Sequence, residues 1–401
     1  MKITYTAPNR SHHYPYAEAL HRAGHLYSFV SGFSRFSPRS DLPGIGNKLK
    51  RHDLIKNIHL ACMKLNTPHR VTAYIDYLSA LELDHASYKW AKQSDVFLFY
   101  RTDGLKSTIR LHNQGSSALC IMEEVNSHVE FANEILQNEY NSLGLKKSGY
   151  CKEPDFDLRL KTYQEADCIL CPSEFVRNSF LDKGFSSKQL LKVNFGFQTI
   201  ENIPEERAKT ADDTFRVLYV GQIHYRKGLR YAIEAFKQLK HPKKEFIIVG
   251  PKTPVTGLEK TQIPDSVVFT GSLKGEELKN QYRNASVFVL PSLEEGLALV
   301  QGEALTFGTP LLITTNTGGS DFVQDGREGF IVAPGEVKPL AERLQQMADD
   351  KLLVERMSAS ALHTAKTLGS WDIACEKLIS QITNILQMRD GISSLKEEIL
   401  K

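Results

Sequence analysis

No apolar run among the 401 residues is long enough to span a membrane. Residues 1–5 lead straight into a strand, so no signal peptide is expected. The six cysteines, at 62, 120, 151, 168, 171 and 375, are scattered. Cys168 and Cys171 form a C-x-x-C, but neither a second pair nor a histidine cluster accompanies it, and Ile169 and Leu170 between them read as core strand. That argues against a disulfide framework, structural zinc and thiol redox chemistry. A reducing, cytoplasmic compartment fits best. The fingerprint G-x-G-x-x-G is missing, since Gly44-Ile-Gly46 follows no strand, which removes the main support for a nicotinamide dinucleotide. Repeats and low-complexity segments are absent beyond a recurring strand–helix rhythm.

The formal net charge is only +3, but its distribution is uneven. Residues 1–70 hold eleven Lys and Arg against three Asp and Glu, with seven His. The excess is densest around Arg35, Arg39, Lys48, Lys50, Arg51 and Lys56. A solvated basic face, an anionic membrane surface and a phosphorylated substrate all fit such a segment. With no nucleic-acid motif or interleaved aromatic platform, no nucleic-acid partner is expected.

The rest of the chain is organised around residues 291–310, P-S-L-E-E-G-L-A-L-V-Q-G-E-A-L-T-F-G-T-P. The apolar run 287–290 before it reads as a buried parallel strand, and helical spacing follows from about Leu299 to Phe307, stopped by Gly308 and Pro310. A loop leaving the carboxyl end of a strand and opening a helix is where open α/β sheets bind ligands. No Ser, Thr, Asp or Asn stands at the expected cap position, so the first backbone N–H groups lack a side-chain acceptor. A phosphate would satisfy them and sit favourably in the helix dipole. Glu295 in the loop and Glu303 on the helix can address opposite ends of one bound molecule.

In chain order, residues 2–7, 25–30, 95–100 and 118–122 read as strands, with a helix over 15–24 after the first. Glu123-Glu-Val-Asn-Ser-His128 precedes a long helix ending near Gly144, and a strand at 166–171 precedes a helix over 174–184. The polar stretch 198–214 reads as a linker. A second βα series starts at 215–220 and runs into Gly221-Gln-Ile-His-Tyr-Arg-Lys-Gly228, a turn with two glycines and adjacent cations. Helices over 338–347, 352–366 and 371–388 finish the chain, and the tail 389–401 is expected to be polar and mobile.

These strings resemble the retaining glycosyltransferases of family 4, which have the GT-B fold. The register of P-S…E-G, the second Glu-Ala seven residues on and G-x-P matches their E-x7-E signature. Glu123 to His128, with Glu139-Tyr140 on the helix that follows, resembles a subset with a Ser-His acceptor-side motif. Three positions depart from the pattern: Ala298 replaces a usual Gly, Gly302 a usual Leu, and Gln222 a usual Arg whose charge Arg226 would supply.

The resemblance implies two Rossmann-like α/β domains facing across a cleft. The acceptor-side domain would cover 1–200 and the donor-binding domain 201–370, with 371–401 packing back onto the first. It implies a nucleotide-sugar donor, UDP- or GDP-linked, held by Gly221, Gln222, Arg226, Lys227, Glu295, Gly296, Leu297, Ala298, Leu299, Val300 and Glu303. His128, Glu295, Arg226 and Lys227 would carry the chemistry, with Glu303 on the ribose and His128 near the sugar. A glycan or lipid-linked sugar would be the acceptor, in bacterial surface or extracellular glycan assembly, with possible reversible contact between residues 35–70 and an anionic membrane.

Asp155-Phe-Asp157 has the form of a metal-binding D-x-D but follows no strand, so no metal is expected. A departing nucleotide diphosphate would instead be met by fixed cations and backbone donors. Two other readings stay open: a nucleotide-sugar epimerase on the same fold, and a nucleotide-sugar-binding pseudoenzyme.

Overall fold

A computed structural model describes residues 1–65, 67–144, 155–197, 203 and 212–399, without the side chains of 69 and 390–399. The first half contains strands β1 (Ile3–Ala7), β2 (Leu26–Ser31), β3 (Leu49–Arg51), β4 (Val96–Tyr100), β5 (Leu119–Glu123), β6 (Cys168–Cys171) and β7 (Leu190–Lys192). Helices α1 (His13–Arg22), α2 (Leu54–Lys64), α3 (His69–Ala91), α4 (Leu105–Asn113), α5 (Val129–Ser142), α6 (Asp155–Glu165) and α7 (Glu174–Leu181) accompany them. The second half adds β8 (Phe215–Val220), α8 (Leu229–Gln238), β9 (Lys244–Val249), β10 (Val267–Gly271), α9 (Gly275–Asn284) and β11 (Val287–Leu290). It closes with α10 (Leu299–Thr306), β12 (Leu311–Thr314), β13 (Gly329–Val332), α11 (Val337–Asp349), α12 (Lys351–Thr367) and α13 (Trp371–Ile399).

The strands form two separate parallel sheets, ordered β3-β2-β1-β4-β5-β6-β7 and β10-β9-β8-β11-β12-β13. Both are doubly wound, and in each the order reverses beside the first strand of its half, β1 or β8, which places crevices at the carboxyl ends of those strands. The central strands are buried on both faces, which is why 287–290 is an unbroken apolar run with no alternation. This is the two-domain GT-B architecture.

Helix α13 returns to the first domain. Ala374, Cys375, Leu378 and Ile382 join the core formed by Ile3, Tyr5 and Leu20, and Gln381 donates to the Lys192 carbonyl at 3.0 Å. The tail expected to be mobile is helical through Ile399, continuing α13 without a break. Helix α1 begins at His13 rather than Pro15, because a proline in the first turn sacrifices no intrahelical hydrogen bond. Most of the expected linker, and Cys151, fall outside the described residues.

Candidate functional site

Two loops of the second domain meet at the cleft. Residues 221–228 leave β8 and make a 3-10 turn over Tyr225–Lys227, capped by the His224 ring, which accepts from the Arg226 N–H at 3.2 Å. Gly228 closes the turn at φ 63°, and a Cβ there would lie 2.0 Å from the Pro291 carbonyl oxygen. Glycine is therefore required both for the left-handed backbone and for close approach of the second loop.

That second loop, after β11, brings Glu294 and Glu295 against the cations. Lys227 Nζ donates to Glu295 Oε2, and Arg226 Nη1 contacts the Glu294 carbonyl at 2.8 Å, its carboxylate at 3.2 Å and Glu295 at 3.4 Å. Burial works against the Glu295 anion, but Arg226 and Lys227 beside it outweigh this and hold its pKa below the ordinary value. Burial lowers the Lys227 ammonium pKa, with Glu295 opposing the shift. Helix α10 starts at Ala298 with no side-chain cap, as its sequence implies.

Glu303 is exposed on α10 and accepts from the Tyr282 hydroxyl at 2.9 Å. Gly302, where the resembled family carries Leu, has a local cause: a Cβ there would sit 2.1 Å from Phe197 Cδ1, a first-domain ring wedged against the helix. Gln222 is exposed at the turn's start, its carbonyl held by the Tyr219 hydroxyl at 2.7 Å. Leu297 and Ala298 are buried, while Leu299 and Val300 are half-buried in the first turn of α10.

The domains touch across the cleft through polar groups. Glu294, fully buried, accepts from the Ser127 N–H at 3.0 Å, the Ser127 hydroxyl at 2.9 Å and the Asn126 amide at 3.3 Å. Ser173 donates to the Gly296 carbonyl at 2.7 Å, and a Cβ on Gly296 would fall 1.5 Å from the Val125 oxygen. Farther out, Glu139 accepts from Arg230 at 2.6 Å and from the Tyr231 hydroxyl at 2.6 Å. Asp321 pairs with Lys192 at 2.8 Å and with Asn194 at 2.7 Å.

His128, expected near the sugar, is buried at the start of α5. Its ring lies among Tyr163, Phe180 and Phe185, with centroids 4.9 to 5.7 Å away. Nδ1 accepts from the Glu130 N–H at 3.3 Å, capping α5. Burial, with Lys183 nearby, pulls its pKa down to about 4, so the neutral ring that can accept this bond is the stable form. The members of that string which reach the other domain are Val125, Asn126 and Ser127.

The sequence reading also passed over the carboxylates just before them. Glu123 ends β5 and accepts from Tyr5 at 2.8 Å, with His12 at 2.9 Å and His13 at 3.3 Å. These three groups, His12, His13 and Glu123, place one potential ligand atom each within 4.8 Å of one another. Burial disfavours the Glu123 anion, but the two histidines overcome it and depress its pKa. Glu124 pairs with Arg159 at 2.6 Å and Arg101 at 3.3 Å. Arg101 has φ 46°, unusual for a residue with a Cβ, and its guanidinium bonds Asn126 at 2.8 Å. Local sequence offered two signals for these groups: a doubled Glu at a strand's carboxyl end, and His-His after the first strand.

A cavity of about 420 Å³ is lined by Phe197, Asp321, Arg327, His363 and Lys377 among others. It includes neither the 221–228 turn nor the 294–303 segment, so it is distinct from the cleft site. Asp155 and Asp157 occupy the first turn of α6.

Residues 201–364 match the family described as "Glycosyl transferases group 1". The capsular polysaccharide biosynthesis glycosyltransferase CapM of Staphylococcus aureus is 29% identical over 242 residues, covering 56% of this chain and 63% of that protein. The chain thus spans somewhat less than two thirds of that relative. Sucrose-phosphate synthase from Thermosynechococcus elongatus superposes with a TM-score of 0.66 at 17% identity, over 97% of this chain and all of that one. Anabaena HepE, solved with UDP-glucose, gives 0.63 at 14% identity, over 96% of this chain and 100% of its own. At such identities the two structures speak for the fold alone.

Proposed function

We propose that the protein is a retaining glycosyltransferase that moves a sugar from a UDP- or GDP-sugar to an acceptor hydroxyl without a metal ion. One observation carries the reading: Arg226 and Lys227 converge on Glu295 beside the uncapped start of α10. An incoming diphosphate presents the charge that those two cations and the free N–H groups of α10 would bind, exchanging an internal ion pair for a ligand contact.

Glu295 is then left beside the donor sugar, and Glu303 beside the ribose hydroxyls. As the glycosyl–phosphate bond breaks, Arg226 and Lys227 stabilise the charge developing on the departing diphosphate. The leaving phosphate accepts the acceptor's proton on the same face of the sugar, so retention requires no separate base among the side chains. The likeness to a glycosyltransferase of capsular polysaccharide biosynthesis supports an acceptor that is a glycan of a bacterial surface or extracellular polysaccharide; the reading extends this to a lipid-linked sugar reached from the cytoplasmic face of a membrane.

Calorimetry against UDP-, GDP-, ADP- and TDP-sugars with and without EDTA tests this reading. The expected result is a saturable heat with one nucleotide class, unchanged by EDTA, and turnover with the anomeric configuration kept. Loss of turnover in EDTA with recovery in manganese overturns metal independence. Interconversion of sugars without an acceptor favours the epimerase.

A further inference from the structure

Helix α2 is built inside out. Of its eleven residues only His59 is fully buried, facing α3, where it meets Asp76 at 3.1 Å. Its apolar side chains point to solvent: Leu54 is 67% exposed, Ile58 48% and Met63 56%, and the following Leu65 is 79% exposed. Helix α3 continues the face with Val71 and with Tyr74, 62% exposed. The loop bearing Phe36 is fastened beside them, because Arg35 pairs with Asp53 at 2.6 Å just before α2. An apolar ridge of this extent on a charged protein marks an interaction surface.

Charge selects the occupant. No Asp or Glu occurs between Asp53 and Asp76, while Lys64 and Arg70 lie exposed along the ridge. Apolar residues bordered by cations with no acid between them match the boundary between headgroups and acyl chains of an anionic bilayer. The basic residues that sequence alone singles out are largely engaged within the fold. Lys48 meets His21 at 3.1 Å, Lys50 lies over the Trp90 ring at 4.7 Å, Arg51 meets Asp41 at 3.0 Å, and Lys56 meets Asp76 at 2.7 Å.

We infer that the α2–α3 hairpin, with Leu54, Ile58, Met63, Leu65 and Tyr74 as its apolar contacts and Lys64 and Arg70 as its charges, seats the protein in the interface of an anionic membrane. This deepens the membrane-side placement proposed above. The test uses neither donor nor acceptor, so its failure leaves the donor-site reading standing.

The full-length chain is sedimented with phosphatidylcholine vesicles containing increasing phosphatidylglycerol. Binding rises with the anionic lipid, and added salt weakens it without abolishing it, because only the charged part is screened. Leu65→Glu with Tyr74→Glu lowers partitioning by about tenfold or more. Lys64→Gln with Arg70→Gln lowers it by about fivefold per cation and flattens the salt dependence. Circular dichroism verifies that each variant is folded, as expected for exposed positions. Absence of binding to anionic vesicles at low salt overturns the inference. So does a wild-type dimer that becomes monomeric in Leu65→Glu with Tyr74→Glu, since a second copy then covers the face.

Discussion

Glu294 of the second domain and Ser127 of the first are joined twice, through the Ser127 N–H at 3.0 Å and its hydroxyl at 2.9 Å. The same carboxylate touches Arg226 at 3.2 Å, so one buried anion links the domain contact to the cation turn. Removing it in Glu294→Ala leaves the Ser127 and Asn126 donors without an acceptor. Each unsatisfied buried donor costs roughly 1–3 kcal/mol. The closed arrangement is then disfavoured, and small-angle scattering is expected to give a larger radius of gyration while donor affinity falls. Unchanged scattering together with unchanged affinity refutes the linkage.

Lys227→Ala and Glu303→Ala are each expected to weaken donor binding without unfolding the protein. Loss of a hydrogen bond to a charged group costs roughly 1.5–3 kcal/mol, about tenfold to a hundredfold in affinity. The two should separate by ligand: Lys227→Ala loses discrimination between nucleoside diphosphate and nucleoside, and Glu303→Ala loses discrimination between ribose and 2′-deoxyribose. Titration calorimetry reads both, and wild-type affinity in both variants sinks the site assignment.

Gly302→Leu restores the residue of the resembled family but drives it into Phe197. Overpacking of this kind costs roughly 1–3 kcal/mol. The expected outcome is a lowered melting temperature that Phe197→Ala partly rescues, giving a favourable coupling in a double-mutant cycle. Additive effects would mean that the helix and ring can move apart freely.

Legibility differed along the chain for physical reasons. In the second domain, 287–290 matched the observed strand to the residue, because a wholly apolar run ended by Pro291 marks a strand buried on both faces. The cleft loops were legible because the turn at 221–228 and the loop at 291–298 are short and contiguous. Residues 32–94 were not, since the usual inward apolar face of a helix is reversed in α2 and gives the wrong cue for burial. Partners across the cleft, such as Glu294 with Ser127, are 167 positions apart, and no local pattern encodes them. Within Glu123 to His128 the string was recognisable, but which member faces the cleft depends on how α5 leaves β5.

His128 offers a test in which its two roles give opposite results. Its folded pKa is lowered to about 4 from 6.5. The unfolded chain therefore takes up a proton below about pH 6.5 that the folded ring refuses until about pH 4. Its contribution to stability is full above 6.5 and is lost as pH falls toward 4. At about 1.4 kcal/mol per pH unit the loss amounts to roughly 3 kcal/mol at most. His128→Asn keeps an acceptor for the Glu130 N–H but carries no titrating ring. Denaturant unfolding across pH 4–7 is expected to show a shallower acid decline in the variant, with turnover retained. A variant that keeps the wild-type pH dependence of stability yet loses turnover returns His128 to the chemistry and overturns its assignment as a helix cap in an aromatic core.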